Sequence, residues 1–239
     1  GVKTIQNPRI MNRIMNSASD LKSLIIQHAE DAELSKDGMI NDGIIATKLG
    51  LQGIPISAEL LIIERDLTLL EYNNCRYHIA QISSANSVDI IRERKNKVNF
   101  SCGVSINNLS LNENDIGDFK TFLKLSPPLR TETDRNALVQ GLNDKTIDVI
   151  VSDHKPEDEE NKRLTFAQAE TGASGIETLL PLSLELYHNG SVELETIIKA
   201  LTSKPAEILK INKGNLSIGN DADFCIVDIN KPWVVRKDK

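Results

Sequence analysis

Cysteine is scarce in this chain: three in 239 residues, at positions 75, 102 and 225. Their odd number and wide spacing exclude a disulfide framework and a paired-cysteine zinc knuckle. They point instead to reduced core thiols of a cytoplasmic protein. Basic excess is also missing. Against 34 Asp and Glu stand only 28 Lys and Arg, a formal net charge of -6, so no nucleic-acid-binding face is expected. No apolar run approaches the roughly 20 residues that span a bilayer, and residues 1–15 are polar and mixed, unlike a secretory leader. Internal repeats and low-complexity segments are absent. What remains is ordinary globular composition, 40% hydrophobic and 26% charged, in a chain long enough to bury a real core. It opens without an initiator methionine, on Gly1-Val2-Lys3-Thr4, which reads like the middle of a loop and suggests a fragment or a processed product.

Short apolar runs alternate with amphipathic stretches. Residues 23–28, 77–83, 98–105 and 147–153 read as strands. Residues 57–72 repeat apolar positions at helical spacing, with Glu59 and Arg65 expected toward solvent or a helix partner. Residues 87–97 read as a helix with a basic C-terminal end that suits its dipole. A helix over 134–142 is entered through Thr131 or Thr133 as cap. Helices follow at about 175–189 and 192–202, and Pro205 opens another in its first turn. Strand–helix alternation of this kind signals a parallel sheet with helical crossovers. Residues 213–228 differ: they alternate around a Gly-Asn-Asp turn and read as two short strands of a small β-domain.

Each strand carries a polar residue at or near its C-terminal end: His28, Gln81, Ser105 and Asp153. Barrels and open doubly wound sheets both place their chemistry there. Asp153-His154 is the strongest local signal, because a carboxylate ending an apolar strand needs a metal, a proton donor or a cation; the alternative is a strand-end Asp capping a turn. His28 is either a hydrogen-bonded structural residue or a ligand, and with Asp153 it fits a His/carboxylate metal arrangement. His78 and Gln81, three apart, face opposite sides of a regular strand, so only one can enter a barrel mouth unless a bulge intervenes. His188 reads as a dipole partner at a helix C-terminus. The run 157–160 reads as a solvated acidic loop. Arg130, fixed by Ser126-Pro127-Pro128-Leu129, either clamps a carboxylate substrate or pairs with Glu132 or Asp134.

Several runs together resemble the class I dihydroorotases. They are Gln27-His28-Ala29-Glu30-Asp31, Gly50-Leu51-Gln52-Gly53-Ile54-Pro55 with Glu59, Tyr77-His78-Ile79-Ala80-Gln81-Ile82-Ser83, Ser126-Pro127-Pro128-Leu129-Arg130, Ser152-Asp153-His154-Lys155-Pro156 and 172–182. Residues 214–228 resemble the end segment of the amidohydrolase superfamily. The matches run in order from about residue 5 to 235. The resemblance implies an α/β fold: the C-terminal half of a metal-dependent-hydrolase (β/α)8 barrel, strands five to eight with their helices in residues 1–210, and part of a small composite β-domain in 211–239. It implies a hydrolase of cyclic amides that interconverts dihydroorotate and carbamoyl aspartate in pyrimidine synthesis, with zinc polarising the ring carbonyl and supplying hydroxide. His28 is then a metal ligand and Asp153 both ligand and general base. Gln81 stands where the family has a second-metal His, and a neutral amide is a weak zinc donor. Ser126, Glu157 and Gly172 occupy substrate-binding positions, Ser126 in place of Asn and Glu157 in place of His.

Further departures accompany these. Ser105-Ile106-Asn107-Asn108 replaces Thr-Pro-His-His, and the family's strand-one His-x-His, its nearby Arg and the strand-four acidic or carboxylated Lys ligand have no counterpart in the 239 residues. Half a barrel has two open edges and an uncovered interior, so another polypeptide or the rest of its own chain is expected to complete it. The resemblance leaves three functions: a dihydroorotase, an inactive dihydroorotase-like structural partner of aspartate carbamoyltransferase, and a hydantoinase or allantoinase. The expected partners are a small-molecule substrate and a homo-oligomer or that carbamoyltransferase, with no membrane.

Overall fold

The computed structural model describes residues 4–232 and Val234. Four parallel strands form one sheet in the order β1 (Leu24–Gln27), β4 (Arg76–Ile79), β5 (Ser101–Ser105) and β6 (Val149–Val151). Ile26 pairs with His78, His78 with Ser101, and Val104 with Ile150. Two residue pairs, β2 (Ile40–Asn41) and β3 (Gly53–Ile54), make a separate small parallel ladder.

The helices are α1 (Pro8–Asp20), α2 (Ile44–Leu49), α3 (Ser57–Leu70), α4 (Ala85–Arg94), α5 (Ile106–Ser110), α6 (Glu132–Asn143), α7 (Glu159–Lys162), α8 (Ile176–His188), α9 (Leu194–Leu201) and α10 (Ser203–Leu209). The four strands and the crossover helices stand as expected, with shorter strands because their ends bend out of the ladder. Thr131, not Thr133, caps α6 through a reciprocal pair of bonds with Asp134, the arrangement of a capping box. Helix α1 was not read from the sequence. Its signals are Asn7-Pro8, with the Asn7 side chain accepting from the Arg9 and Ile10 amides, and Met11, Met15 and Ala18 on one buried face.

Side chains alternate across the sheet. Ile25, Tyr77, Ile79, Cys102, Val104 and Ile150 turn toward α1, α3, α4, α6 and α9, where the main core forms around Met15, Ile63, Leu67, Ile91, Leu142 and Ile197. Ile26, His78, Ala80, Val149 and Val151 face the other way. With Pro205, Ile208 and Leu209 of α10 they line a shallow cavity of about 280 Å³. The interior side of the sheet is therefore thinly covered, and Ile26 is 56% exposed.

Of the two alternatives for Glu59, solvent or a helix partner, the structure takes the second: it is 3% exposed and bonded to Ser84 and Ser87 at the start of α4. Two expectations change. Cys75 and Cys102 are buried thiols, the latter pushed up to about 12 by burial, but Cys225 is exposed rather than in the core. Residues 213–228 form no strands, since two short strands with no sheet to join gain too few contacts to hold a ladder. No described helix is long and apolar enough to cross a membrane.

Candidate functional site

Because the four strands run parallel, their C-terminal ends lie together on one side of the sheet. His28 follows β1 directly, Gln81 lies two residues past β4, and Asp153 lies two past β6. Two side-chain groups form there. In the first, His28 Nε2 is 3.2 Å from Glu30 Oε2 and 3.2 Å from Ser126 Oγ. The Ser126 hydroxyl also donates to Glu30 Oε2 at 3.1 Å, and the Ser35 hydroxyl donates to Glu30 Oε1 at 2.8 Å. In the second, Gln81 Nε2 donates to Asp153 Oδ1 at 2.6 Å. Asp153 has φ 49°, a left-handed backbone uncommon outside glycine, asparagine and aspartate.

The electrostatics of the two carboxylates diverge. Hydrogen bonding to His28 holds the Glu30 carboxyl down at about 2 against an ordinary 4.5, with Ser35 and Ser126 adding to it and burial opposing. Burial pushes Asp153 up, while the Gln81 bond, His28 and Lys155 oppose that rise. A carboxyl depressed in the folded state stabilises it above its unfolded value and loses that contribution as pH falls through its folded value. The melting-temperature gap between wild type and Glu30→Gln should therefore close as pH falls from 4.5 toward 2. Thermal melts across that range check it; a gap that persists at pH 2 would refute the assignment.

Glu157 and Gly172 lie on the loop between β6 and α8, around Lys155. Glu157 Oε1 is 3.5 Å from Lys155 Nζ. Gly172 has φ 138°, where an added Cβ would sit 2.5 Å from the Lys155 carbonyl oxygen, and its amide donates to the Lys124 carbonyl at 2.9 Å. His154 turns away from the site: its Nδ1 accepts from the Gly175 amide at 3.1 Å at the start of α8. Ser105 accepts from the Asn107 amide at the start of α5, and Asn108 Nδ2 donates to the Pro128 carbonyl at 3.0 Å. His188 ends α8, with Nε2 2.8 Å from the Ile229 carbonyl oxygen.

His78 and Gln81 line the same cavity. The regular strand does not extend through both, since β4 ends at Ile79, and beyond it the strand alternation no longer applies. Burial lowers the proton affinity of His78, with Asp148 opposing, and its Nδ1 sits 2.8 Å from Ser101 Oγ.

Arg130 follows neither of its two sequence readings. It is 3% exposed, donating to Ser83 Oγ at 3.1 Å, Asn41 Oδ1 at 2.8 Å and the Ile54 carbonyl at 2.6 Å. Glu132 pairs with Arg135 instead. The Glu59 carboxylate accepts from the Ser83 amide at 3.0 Å, from the Ser84 hydroxyl at 3.2 Å and from the Ser83 and Ser87 hydroxyls. Asn41 Nδ2 donates to Glu113 Oε2 at 2.6 Å. This buried network anchors the segment that follows Gln81.

Comparison with known proteins places this geometry in a lineage. The family model described as the amidohydrolase family matches residues 3–239. The chain belongs to the amidohydrolase family. It is 41% identical over 233 residues to a dihydroorotase from Ehrlichia canis (strain Jake), covering 97% of this chain and 52% of that protein. It is 40% identical over 237 residues to a dihydroorotase from Anaplasma phagocytophilum (strain HZ), covering 98% and 53%. Among solved structures, the L-hydantoinase (dihydropyrimidinase) from Arthrobacter aurescens superposes with a TM-score of 0.80 at 25% identity, over 91% of this chain and 50% of that one. The dihydropyrimidinase from Brevibacillus agri NCHU1002 superposes at 0.77 and 22% identity, over 89% and 49%. The chain thus spans about half the length of the curated relatives it matches, and its parallel sheet with packed helices is the C-terminal half of a (β/α)8 barrel.

Amidohydrolases are generally metal-dependent. Catalytic zinc sites commonly take three protein ligands. Among the described residues no group of three or more His, Cys, Asp or Glu side chains converges as a metal site. His28 and Asp153 are the two candidate donors at this sheet end, and Gln81 already donates its amide to Asp153. The described residues therefore do not fit a complete zinc site by themselves.

Proposed function

We propose that this chain is the C-terminal half of a dihydroorotase-like cyclic amide hydrolase that interconverts dihydroorotate and carbamoyl aspartate. One observation carries the reading: Asp153 stands at a barrel strand end in a left-handed conformation, half-buried, its carboxylate bonded by Gln81. Burial raises its proton affinity, which suits a general base. Gln81 fixes one carboxylate oxygen and leaves the other free to accept a proton. Ser126 offers a hydroxyl beside His28 to a polar substrate edge. Lys155 partly offsets the negative charge of Glu157, where an anionic substrate would otherwise be repelled.

Zinc is the ion this reading implies. His28 and Asp153 are the donors this chain would contribute, with the others coming from outside the 239 residues. Residues 1–210 would form the half barrel and residues 211–239 would join a small β-domain once partner strands are present. A cytoplasmic location and a homo-oligomer belong to the same proposal; the buried thiols of Cys75 and Cys102 fit a reducing compartment.

A second reading, a catalytically inactive partner of aspartate carbamoyltransferase, is favoured by one feature. Gln81 is a neutral side chain at a ligand position, and its amide is already committed to Asp153. Metal analysis and dihydroorotate hydrolysis on the complete polypeptide separate the two. Bound zinc with turnover that disappears in Asp153→Ala supports the hydrolase. A folded, metal-free and inert protein supports the structural partner.

A further inference from the structure

The loop between β6 and α8 carries little regular structure, the four residues of α7 and a single His154–Ala173 bridge, yet two buried lysines tie it down. Lys124 is 8% exposed and Lys162 is 2% exposed. The Lys124 ammonium donates to the carbonyls of Phe166 at 3.0 Å, Ala167 at 3.1 Å and Ala169 at 2.8 Å, so each of its three protons has an acceptor. Its own carbonyl accepts from the Gly172 amide. The Phe166 ring lies 5.9 Å from Lys124 Nζ and meets Phe119 edge-on. The Lys162 ammonium donates to the carbonyls of Thr121 at 3.0 Å and Glu170 at 2.7 Å, and the Thr121 hydroxyl donates back to the Lys162 carbonyl. No carboxylate among the described residues lies within ion-pair distance of either ammonium.

We propose that Lys124 and Lys162 are positioning residues that fasten the loop after β6 to residues 121–126, fixing Gly172 and Glu157 relative to Ser126. Buried charge is costly unless its protons are used; all three of Lys124 go to loop carbonyls, and two of Lys162 go to the Thr121 and Glu170 carbonyls. A hydrocarbon of equal length would fill the space and leave those carbonyls unpaired. The bonds run crosswise, from the segment before α6 to the loop and from the loop back, so the two pieces are held in register. Ser126 lies two residues beyond Lys124, so one side chain sets both walls. The importance of that spacing for turnover rests on the functional reading above; the clamp itself does not.

Three measurements test it. In the wild-type chain, amine acetylation followed by peptide mapping should modify Lys124 and Lys162 about tenfold or more slowly than the exposed Lys155; equal rates would overturn the clamp. In Lys124→Met, hydrogen exchange at the Glu170 and Gly172 amides should rise about tenfold or more, with β4 and β5 amides unchanged. A uniform rise across the sheet would mean general destabilisation and would overturn the proposal. Lys162→Met, which removes only two carbonyl bonds, provides the same readout at Glu170 should the first variant not fold. In the complete polypeptide, Lys124→Met should raise KM for dihydroorotate more than it lowers kcat. Localised exchange in a protein without wild-type turnover would sink the hydrolase reading and leave the clamp standing.

Discussion

On the proposed hydrolase reading, Asp153→Asn in the complete polypeptide should lower dihydroorotate hydrolysis by about 10²- to 10⁴-fold, the usual contribution of a positioned general base, with the melting temperature nearly unchanged. The two outcomes separate because asparagine preserves what the fold uses at this position. It tolerates the left-handed backbone that residue 153 adopts at φ 49°, and its Oδ1 can still accept the 2.6 Å bond from Gln81 Nε2. What it cannot do is carry negative charge or take a proton. Steady-state kinetics and thermal melts on the same preparation check both halves. Turnover within tenfold of wild type would remove Asp153 from the chemistry; a collapsed melting temperature would make it a structural residue.

Arg130→Met carries the largest expected cost in stability. Removing one member of a buried charge network leaves the others dehydrated and uncompensated, which costs about 3–5 kcal/mol. Here Glu59 and Glu113 would remain buried, and Asn41, Ser83 and the Ile54 carbonyl would lose a partner. In a domain of this size each kcal/mol moves the melting temperature by about 2–4 °C, so a drop of roughly 6–20 °C is expected. Arg130→Lys should recover only part of it, because a point ammonium cannot reach three acceptors spread across the planar fork. Circular-dichroism melts of both variants decide the matter. A shift below about 2 °C for the methionine variant would mean the network is relaxed by water. The segment at stake, 82–84, directly follows Gln81, so a loosened network should also disturb the Gln81–Asp153 bond.

Most of the fold was readable because its causes are local. Helical spacing in 57–72, the Thr131–Asp134 cap and the apolar run before Asp153 each lie within a few neighbouring residues. Helix α1 was missed although its cap and its buried methionines were present, since polar residues between them diluted the periodicity. The two short strands expected in 213–228 failed for the opposite reason: a strand pattern is only half a ladder, and the described residues supply no partner.

By itself, then, the sequence determined a half barrel of parallel strands, its place among the amidohydrolases, and the arrival of His28 and Asp153 at strand ends facing the same way. Periodicity marked the parallel strands and their crossover helices; the half barrel and the family were what the resemblance carried by the motifs implied. Only the tertiary structure decided who meets whom. Gln81 reaches Asp153 across 72 residues, Ser126 reaches His28 across 98, Glu59 finds Ser83 across 24, and Lys124 finds the carbonyls of Phe166 to Ala169 across 42 to 45. A buried polar group must find a partner, but which one is set by how strands stack and loops return, and no local pattern records that.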